Sequence, residues 1–276
     1  MIKTNLNKCL EGYIAVLNYR KLFMENVLTD VINLKSYNLS EADKIVVMYS
    51  KEHGIVRGVA KGAKKLKSKL GAGMDSLVAN KVMLYKGRNM DTICQSETIN
   101  SFRETRKNFD KLMYSSYVSE IVSIFGVEDD PSSKDVYQIL YKALEKIEKS
   151  SSKKDVMLAV IKFQLKMMLI CGFGLEFDTC LCCREQILDE DMYFSIQMGG
   201  VVCKDCNKDL KVNLKLQHKM RDFLQAMMQF DFNYESEYDK KATDKVCDVC
   251  FDLLNKYIQS HTNKKIKSIS VISENV

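Results

Sequence analysis

The sequence predicts an α+β protein in which an N-terminal five-stranded barrel precedes a helical domain, and the helical domain carries an inserted ribbon with four cysteines. Three observations support this fold class. Short apolar runs divided by turn residues extend from Val27 to Glu97, which is typical of strands. From Phe102 onward apolar residues recur three and four positions apart, which is typical of amphipathic helices. Two C-x-x-C pairs, separated by nineteen residues, interrupt the helical pattern.

Length and composition set the number of domains and the compartment. The chain has 276 residues, 46% of them hydrophobic, which is enough for two domains and an insert. No run approaches the ~18 apolar residues of a membrane span, and residues 1–26 lack a signal-peptide core, so we expect a protein of the reducing cytosol. Linker-like stretches are Val127–Lys134 and Lys149–Lys154. The expected divisions are an extension (1–23), the barrel (24–102), a helical domain in two parts (103–177 and 208–276) and the ribbon (178–207).

The strands of the barrel are rich in β-branched residues and end at turn residues. His53-Gly54 and Lys86–Asn89 are the expected hairpin turns. A five-stranded barrel with a loop between its third and fourth strands looks like an OB-fold, whose exposed face commonly binds single-stranded nucleic acid. The five predicted strands are Val27–Leu34, Lys44–Ser50, Ile55–Lys61, Lys81–Lys86 and Asp91–Glu97.

Positive charge is concentrated in the barrel. Residues 51–70 carry a net charge of +6, equal to that of the whole chain. A local cationic strip on an otherwise balanced protein is expected of a protein that binds the phosphate backbone, whereas the alternative is a solvated lysine-rich loop. The candidate contacts are Arg57, Lys61, Lys64, Lys65, Lys67, Lys69 and Arg88, followed by Arg103, Arg106 and Lys107 just beyond the barrel. Tyr37, Tyr49 and Tyr85 are candidates for base stacking.

The helical periodicity that follows defines five segments. The first three are marked by apolar residues between Phe109 and Phe125, between Val136 and Ile147, and between Met157 and Leu169. After the cysteine-rich insert, Leu216–Phe230 and Thr243–His261 predict two helices that return to the same bundle. In the last of these, Cys247 and Cys250 fall on the apolar face, so packing is favoured over a redox or second metal site.

The two C-x-x-C pairs predict a metal site. Cys180, Cys183, Cys203 and Cys206 have the spacing of two knuckles that close a tetrahedral zinc site, and four thiolates leave no position for water, which indicates a structural ion. Free thiols or two disulfides are the alternative, which a reducing cytosol disfavours. Cys182 offers a rival register with Cys180. We prefer Cys183, since its two-residue spacer repeats at the second pair.

No motif for catalysis is evident. His53, His218 and His261 are isolated, and the chain has no phosphate-binding loop or nucleophile motif, so we expect no enzyme activity and no small-molecule substrate. Asp189-Glu190-Asp191 raises the alternative of a metal-dependent nuclease. Three adjacent acids more often form a solvated turn.

Several short motifs together carry a family resemblance. They are Glu41-Ala42-Asp43, Glu52-His53-Gly54, Val59–Lys65, Leu84–Arg88, Gln95-x-Glu97, Gly172–Cys180 and Gly199–Cys206. In this order, over about residues 24–262, the chain resembles the bacterial RecO family of recombination mediators. The resemblance implies an N-terminal OB-fold, a zinc ribbon, binding to single- and double-stranded DNA, and annealing of complementary strands. It also implies partnership with RecR and single-stranded-DNA-binding protein in loading RecA, in a bacterial cytoplasm at the nucleoid.

The chain departs from the family pattern at the first knuckle and at its N-terminus. Arg184 follows the second ligand cysteine where the family usually has glycine, and Gly174-Leu175 stands where a proline usually precedes the first. Neither change removes a ligand. Residues 1–23 lie outside the resemblance, either as an amphipathic extension or as translation upstream of a start at Met24. An OB-fold with a zinc ribbon that acts on RNA, in transcription or translation, stays open because backbone lysines do not sense the 2′-hydroxyl.

Overall fold

The first five strands close into a barrel in the computed structural model, which describes residues 26–87, 90–187, 192–212, 214–229, 231–234 and 236–273. The predicted extension, residues 1–23, lies outside the described residues. The strand order is β1-β2-β3-β5-β4, with β3 and β5 parallel and the other pairs antiparallel. All five predicted strands are confirmed, and the order is that of an OB-fold. The strands are β1 (Asn26–Asn38), β2 (Lys44–Ser50), β3 (Gly54–Ala60), β4 (Ala79–Tyr85) and β5 (Asp91–Asn100).

The interior of the barrel is filled by alternate residues of each strand, as the period of two requires. Outward residues of β1 to β3, including Ile32, Tyr49 and Ile55, instead belong to the core of the helical domain. One part of the outer barrel face is therefore covered by helices. The inward side chains include Val31, Val46, Met48, Val56, Val82, Leu84 and Ile93.

The helical domain begins after a 3₁₀ turn at Arg103–Lys107. The helix Lys153–Ile170 is buried on most sides, and the helix Asp244–Ser260 is amphipathic. These two helices pack against each other along a broad apolar contact. Ser152 and Asp155 form a capping box that fixes the start of the helix Lys153–Ile170. The helices outside the ribbon are α1 (Phe109–Phe125), α2 (Ser133–Lys149), α3 (Lys153–Ile170), α5 (His218–Gln229), α6 (Glu237–Lys241), α7 (Asp244–Ser260) and α8 (Ser268–Ser273).

The ribbon contains β6 (Met192–Ser195), β7 (Gly200–Cys203), a short helix α4 (Lys204–Leu210) and β8 (Lys215–Leu216), with the strand order β7-β6-β8. The expected strand and glycine turn between the knuckles are confirmed. Leu216 was predicted to begin a helix, and this was wrong: it pairs with Met192 in the ribbon sheet. A two-residue strand has no periodicity of its own, so only its tertiary partner reveals it.

Residues 126–130, which we call the clasp, join the helical domain to the barrel. The amide of Ile55 donates to the carbonyl of Val127 (2.9 Å), and the amide of Asp129 donates to the carbonyl of His53 (2.8 Å). A Cβ on Gly54, whose φ is +63°, would lie 2.2 Å from the carbonyl oxygen of Val127. The segment joins α1 to α2, as its linker-like composition predicted, and these hydrogen bonds also anchor it to the start of β3.

Among the described residues, no helix is both long enough and apolar enough to cross a membrane.

Candidate nucleic-acid interface and metal centre

The lysine-rich segment predicted to bind phosphate forms the first part of the loop between β3 and β4. It is held to the barrel through its backbone. The amide of Gly62 donates to Oδ1 of Asp43 (2.7 Å), and the amide of Lys64 donates to the carbonyl of Ala42 (3.0 Å). Gly62 has a φ of +67°, a conformation that favours glycine. The anchoring role of Asp43 is not evident from the sequence, although this acid lies in a motif that carries the family resemblance.

The lysines of this loop differ in what they contact. Lys64 is exposed, but its Nζ donates to the carbonyl of Ser40 (3.1 Å), so one of its three hydrogen-bond donors holds the loop in place. The other four are exposed and form no ion pair within the described part of the chain, so their charge is not neutralised locally. We call these four the loop lysines: Lys61, Lys65, Lys67 and Lys69.

Arg57 lies on the outer face of β3 and is half exposed. Its guanidinium pairs with the carboxylate of Glu128 in the clasp. This partner is not evident from the sequence, since Glu128 is remote in the chain and belongs to a segment with linker-like composition. Arg88 lies outside the described residues.

The three basic residues just beyond the barrel have different surroundings. Arg106 directs its guanidinium at backbone carbonyls, including those of Ser76 (2.7 Å) and Leu77 (3.4 Å), and so ties the 3₁₀ turn to the end of the β3–β4 loop. Lys107 pairs with Glu104 (2.7 Å). Arg103 is exposed and forms no ion pair within the described residues.

The three tyrosines predicted as candidates for base stacking differ in their exposure to solvent. Tyr49 is fully buried, and its hydroxyl donates to Asp130 of the clasp (3.1 Å). Burial and the nearby Asp130 carboxylate raise the pKa of Tyr49 well above its usual value. The candidacy of Tyr49 for stacking was therefore wrong. Tyr37 and Tyr85 are partly exposed, at 51% and 39%, and present ring surface to solvent.

The two cysteine knuckles converge. The Sγ atoms of Cys180, Cys183, Cys203 and Cys206 all lie within 4.8 Å of one another, and those of Cys183 and Cys203 are 4.0 Å apart. A tetrahedral ion with metal–sulfur bonds of ~2.3 Å requires sulfur separations of about 3.8 Å. The four cysteines therefore fit a metal ion with small adjustments. Cys182 is exposed and lies outside this group.

Backbone amides support the sulfurs. The amide of Cys203 donates to the Sγ of Cys180 (3.4 Å), and the amide of Cys206 donates to the Sγ of Cys203 (3.5 Å). Burial raises the pKa of Cys180, but donation from the amides of Cys203, Cys183 and Cys182 outweighs it and lowers the pKa to about 6. At neutral pH the Cys180 thiol is therefore largely a thiolate. Hydrogen bonding with Cys203 instead raises the pKa of Cys206, so binding of a metal ion there has to release a proton.

The first knuckle keeps a glycine-type backbone without glycine. Arg184 has a φ of 64°, in the left-handed region, and its amide donates to the carbonyl of Cys180 (2.9 Å). The departure from the family pattern at this position thus leaves the turn in place, at a cost in strain that glycine avoids.

The remaining candidates do not form a second site among the described residues. Cys247 and Cys250 are fully buried on α7, as their position on an apolar face predicted. Burial raises the pKa of each thiol to about 12, which disfavours the reactive thiolate. Asp189, Glu190 and Asp191 lie outside the described residues.

Comparison with known proteins places the chain in a family. Residues 24–102 match the family model described as "Recombination protein O N terminal", and residues 106–269 match "Recombination protein O C terminal".

Relatives named "DNA repair protein RecO" are similar over about two thirds of their own length. The protein from Desulforamulus reducens is 33% identical over 177 residues, or 64% of this chain and 67% of the relative. That from Synechococcus sp. (strain JA-2-3B'a(2-13)) is 29% identical over 184 residues, or 63% of this chain and 64% of the relative. That from Clostridium novyi is 30% identical over 186 residues, or 67% of this chain and 71% of the relative. Because the two family models together match most of its residues, the chain belongs to the RecO family.

Proposed function

We propose that this protein binds single- and double-stranded DNA through its barrel, anneals complementary strands, and helps to load a recombinase onto DNA coated with single-stranded-DNA-binding protein. The proposed partners are RecR and the single-stranded-DNA-binding protein, in a bacterial cytoplasm at the nucleoid. The membership in the RecO family and the names of the relatives support a role in DNA repair. The proposal needs no catalytic group and no nucleotide cofactor.

The observation that carries the proposal is the anchored loop with four exposed, unpaired lysines on a five-stranded barrel. Lysine neutralises phosphate and releases condensed counterions, which supplies affinity for any backbone sequence. Annealing requires two like-charged strands to approach each other, so the same lysines lower its barrier, while base pairing selects the partner strand. Arg57, Lys64, Arg88, Arg103, Arg106 and Lys107 remain proposed contacts of lower rank, since several of them already pair within the protein.

For the metal we propose one structural Zn²⁺ held by Cys180, Cys183, Cys203 and Cys206. Four thiolates are the ligand set of closed zinc sites, in which the ion holds the fold and activates no water. Here the ion would join the first knuckle to the end of β7 and the start of α4. The ring of Phe194 in β6 meets that of Tyr257 in α7 at a centroid distance of 6.5 Å, so the ribbon packs on the helical core.

Strand annealing tests the function directly. Complementary oligonucleotides, each coated with single-stranded-DNA-binding protein, are mixed with and without the protein, and the duplex formed is followed by fluorescence. We expect faster pairing with the protein, and loss of most of that gain in Lys65→Ala/Lys67→Ala/Lys69→Ala. A matched variant that removes three exposed lysines of the helical domain, Lys241→Ala/Lys264→Ala/Lys265→Ala, should retain the gain.

Competition between DNA and RNA of the same sequence separates the RNA-binding alternative. A clear preference for RNA, together with no acceleration of pairing, would replace the proposed function by that alternative.

A further inference from the structure

A groove lies between the start of β3, the turn after β4 and the clasp. It is lined by His53, Arg57, Lys86, Asp91, Glu128 and Asp129, among others. Each of its three basic side chains lies beside a carboxylate. Arg57 pairs with Glu128, Lys86 with Asp91 (3.0 Å), and Nδ1 of His53 lies 3.4 Å from Asp129. The groove therefore contains basic side chains of the kind that bind an anion, and each of them already lies beside a carboxylate of the protein. The loop lysines, in contrast, form no ion pair within the described residues.

The pair between Arg57 and Glu128 is open to solvent. Their side chains are 51% and 69% exposed. Exposed ion pairs of this kind contribute little, because water and salt screen both charges. A phosphate group that approaches Arg57 carries the same charge as the carboxylate and fits the guanidinium with two parallel hydrogen bonds. Exchange of the carboxylate for a phosphate therefore costs little and requires only one side chain to rotate.

The backbone holds the carboxylate near Arg57 in the free protein. Glu128 lies opposite Gly54 in a bridge between the clasp and β3. The hydrogen bond from the Ile55 amide to the Val127 carbonyl and that from the Asp129 amide to the His53 carbonyl flank it on both sides. The clasp also adds Asp129, whose carboxylate is exposed at the same edge. These contacts use main-chain atoms, so they persist when the Glu128 side chain moves away.

We propose that this groove is a binding site for a backbone phosphate of the bound nucleic acid, contacted by Arg57, and that Glu128 occupies the phosphate position in the free protein. The inference rests on the proposed DNA binding and adds to it a site with an internal competitor. Glu128 lowers affinity for DNA by the work needed to displace it, and it directs the first contact to the unpaired loop lysines. A backbone phosphate then replaces the Glu128 carboxylate at the Arg57 guanidinium.

The test measures the affinity of the full-length protein for a fluorescent single-stranded oligonucleotide at several salt concentrations. Glu128→Gln removes the competing charge and keeps a side chain of the same size. We expect about two- to fivefold tighter binding at low salt, the range of exposed ion pairs. Arg57→Ala should flatten the slope of log affinity against log salt by about 0.7, because it removes one phosphate contact.

Glu237→Gln is the matched control, because Glu237 is 68% exposed and pairs with Lys240 on α6 of the helical domain. It makes the same change in net charge and should leave affinity within twofold. Arg57→Ala should weaken binding, and Glu128→Gln should give no gain in the Arg57→Ala background. Thermal unfolding of each variant verifies that the clasp is intact.

Two results would overturn the inference while leaving DNA binding in place. One is a Glu128→Gln variant that binds like Glu237→Gln, which would make the pair with Arg57 a purely structural contact. The other is an equal gain with and without Arg57, which would reduce the effect to general electrostatics. If the unmodified protein binds no polynucleotide, both the site and the proposed function fail.

Discussion

At the scale of single residues, the proposed metal centre depends on sulfur atoms that no other side chain replaces. Cys203 lies at the end of β7, and its Sγ accepts a hydrogen bond from the amide of Cys206 at the start of α4. A serine there keeps the cap but offers a poor ligand for zinc. Metal binding in small zinc modules contributes an apparent ~10–16 kcal/mol to folding, so its loss unfolds most of them.

We therefore expect Cys203→Ser to lose the ion and to unfold the ribbon, with the helical core retained at lower stability. Metal analysis of the purified protein, together with circular dichroism, measures both effects. Cys182→Ser is the control, and it should keep one metal ion per chain because its sulfur lies outside the group of four. Retention of the ion in Cys203→Ser, or its loss in Cys182→Ser, would contradict the assigned ligand set.

The loop lysines give a second prediction at this scale. If all four contact phosphates, they account for a slope of log affinity against log salt near −2.8 on single strands, at roughly −0.7 per contact. Lys65→Ala/Lys67→Ala/Lys69→Ala should flatten the observed slope by about two units. Lys64 is left unchanged because its Nζ supports the loop through Ser40. The helical-domain triple variant should keep the original slope, and an equal flattening there would show that the loop is an ordinary solvated surface.

Residue types in a local pattern were predictable from the sequence, whereas partners distant in the chain were not. The cysteines are recognised by their spacing, and the loop lysines by their clustering in the sequence. Glu128 and Asp130 reach Arg57 and Tyr49 across more than seventy positions, and neither local charge nor local periodicity indicates such a contact. The same distance explains why Tyr49 was a candidate for stacking although it is buried against the clasp.

At the scale of elements, the carboxylate of Glu120 joins helix α8 to helix α1. Glu120 of α1 accepts hydrogen bonds from the amides of Lys267 (3.1 Å) and Ser268 (2.8 Å) and from the hydroxyl of Ser268 (2.8 Å). Helix α8 has only six residues and cannot persist alone. Its position therefore depends on this capping carboxylate and on the apolar contacts beside it.

Glu120 makes the stability of this contact dependent on pH. Burial raises its pKa, but the hydrogen bonds from Ser268 and Lys267, assisted by Lys35, outweigh burial, so the pKa lies below its ordinary value of 4.5. A lowered pKa means that the stabilisation is fully present above that ordinary value. It is lost as pH falls through the pKa of the folded protein.

We expect Glu120→Gln to lower the free energy of unfolding by about 1–2 kcal/mol at pH 7, since bonds to a charged acceptor are stronger than neutral ones. The difference from the unmodified protein should shrink as pH falls through the lowered pKa of folded Glu120, because the carboxyl is then neutral like the amide. Urea unfolding at pH 7 and at a series of acidic pH values measures it, with Glu237→Gln as the exposed control. A difference that is the same at pH 7 and in acid would show that the carboxylate charge is not the cause.

Elements with a long, regular pattern were predicted well, and short ones were not. The strands of the barrel and helices α1, α2, α3, α5 and α7 follow from periods of two and 3.6. Strand β8 and helices α4, α6 and α8 have seven residues or fewer, and tertiary contacts determine them. Glu120 at α8 and the sheet partner Met192 at β8 are such contacts.

At the scale of the whole molecule, the clasp joins the barrel to the helical domain. It fixes the helical domain to the barrel through main-chain bonds, and it places Glu128 beside the predicted contact Arg57. DNA that displaced Glu128 as proposed would therefore act on a segment shared by both domains. The ribbon packs on the same helical core, so the barrel, the clasp and the ribbon form one connected body of contacts.

Annealing is the property that separates a mediator from a protein that only coats single strands. A coating protein should slow pairing, because each strand must be released before it can zip with its partner. We predict acceleration of pairing that needs no ATP, since the sequence contains no phosphate-binding loop, and that fades as salt rises, since the lysines act through screened charge. Pairing rates measured across a salt series, with and without ATP, test both features. Complementary strands that pair no faster with the protein at any low or moderate salt concentration would refute the mediator role.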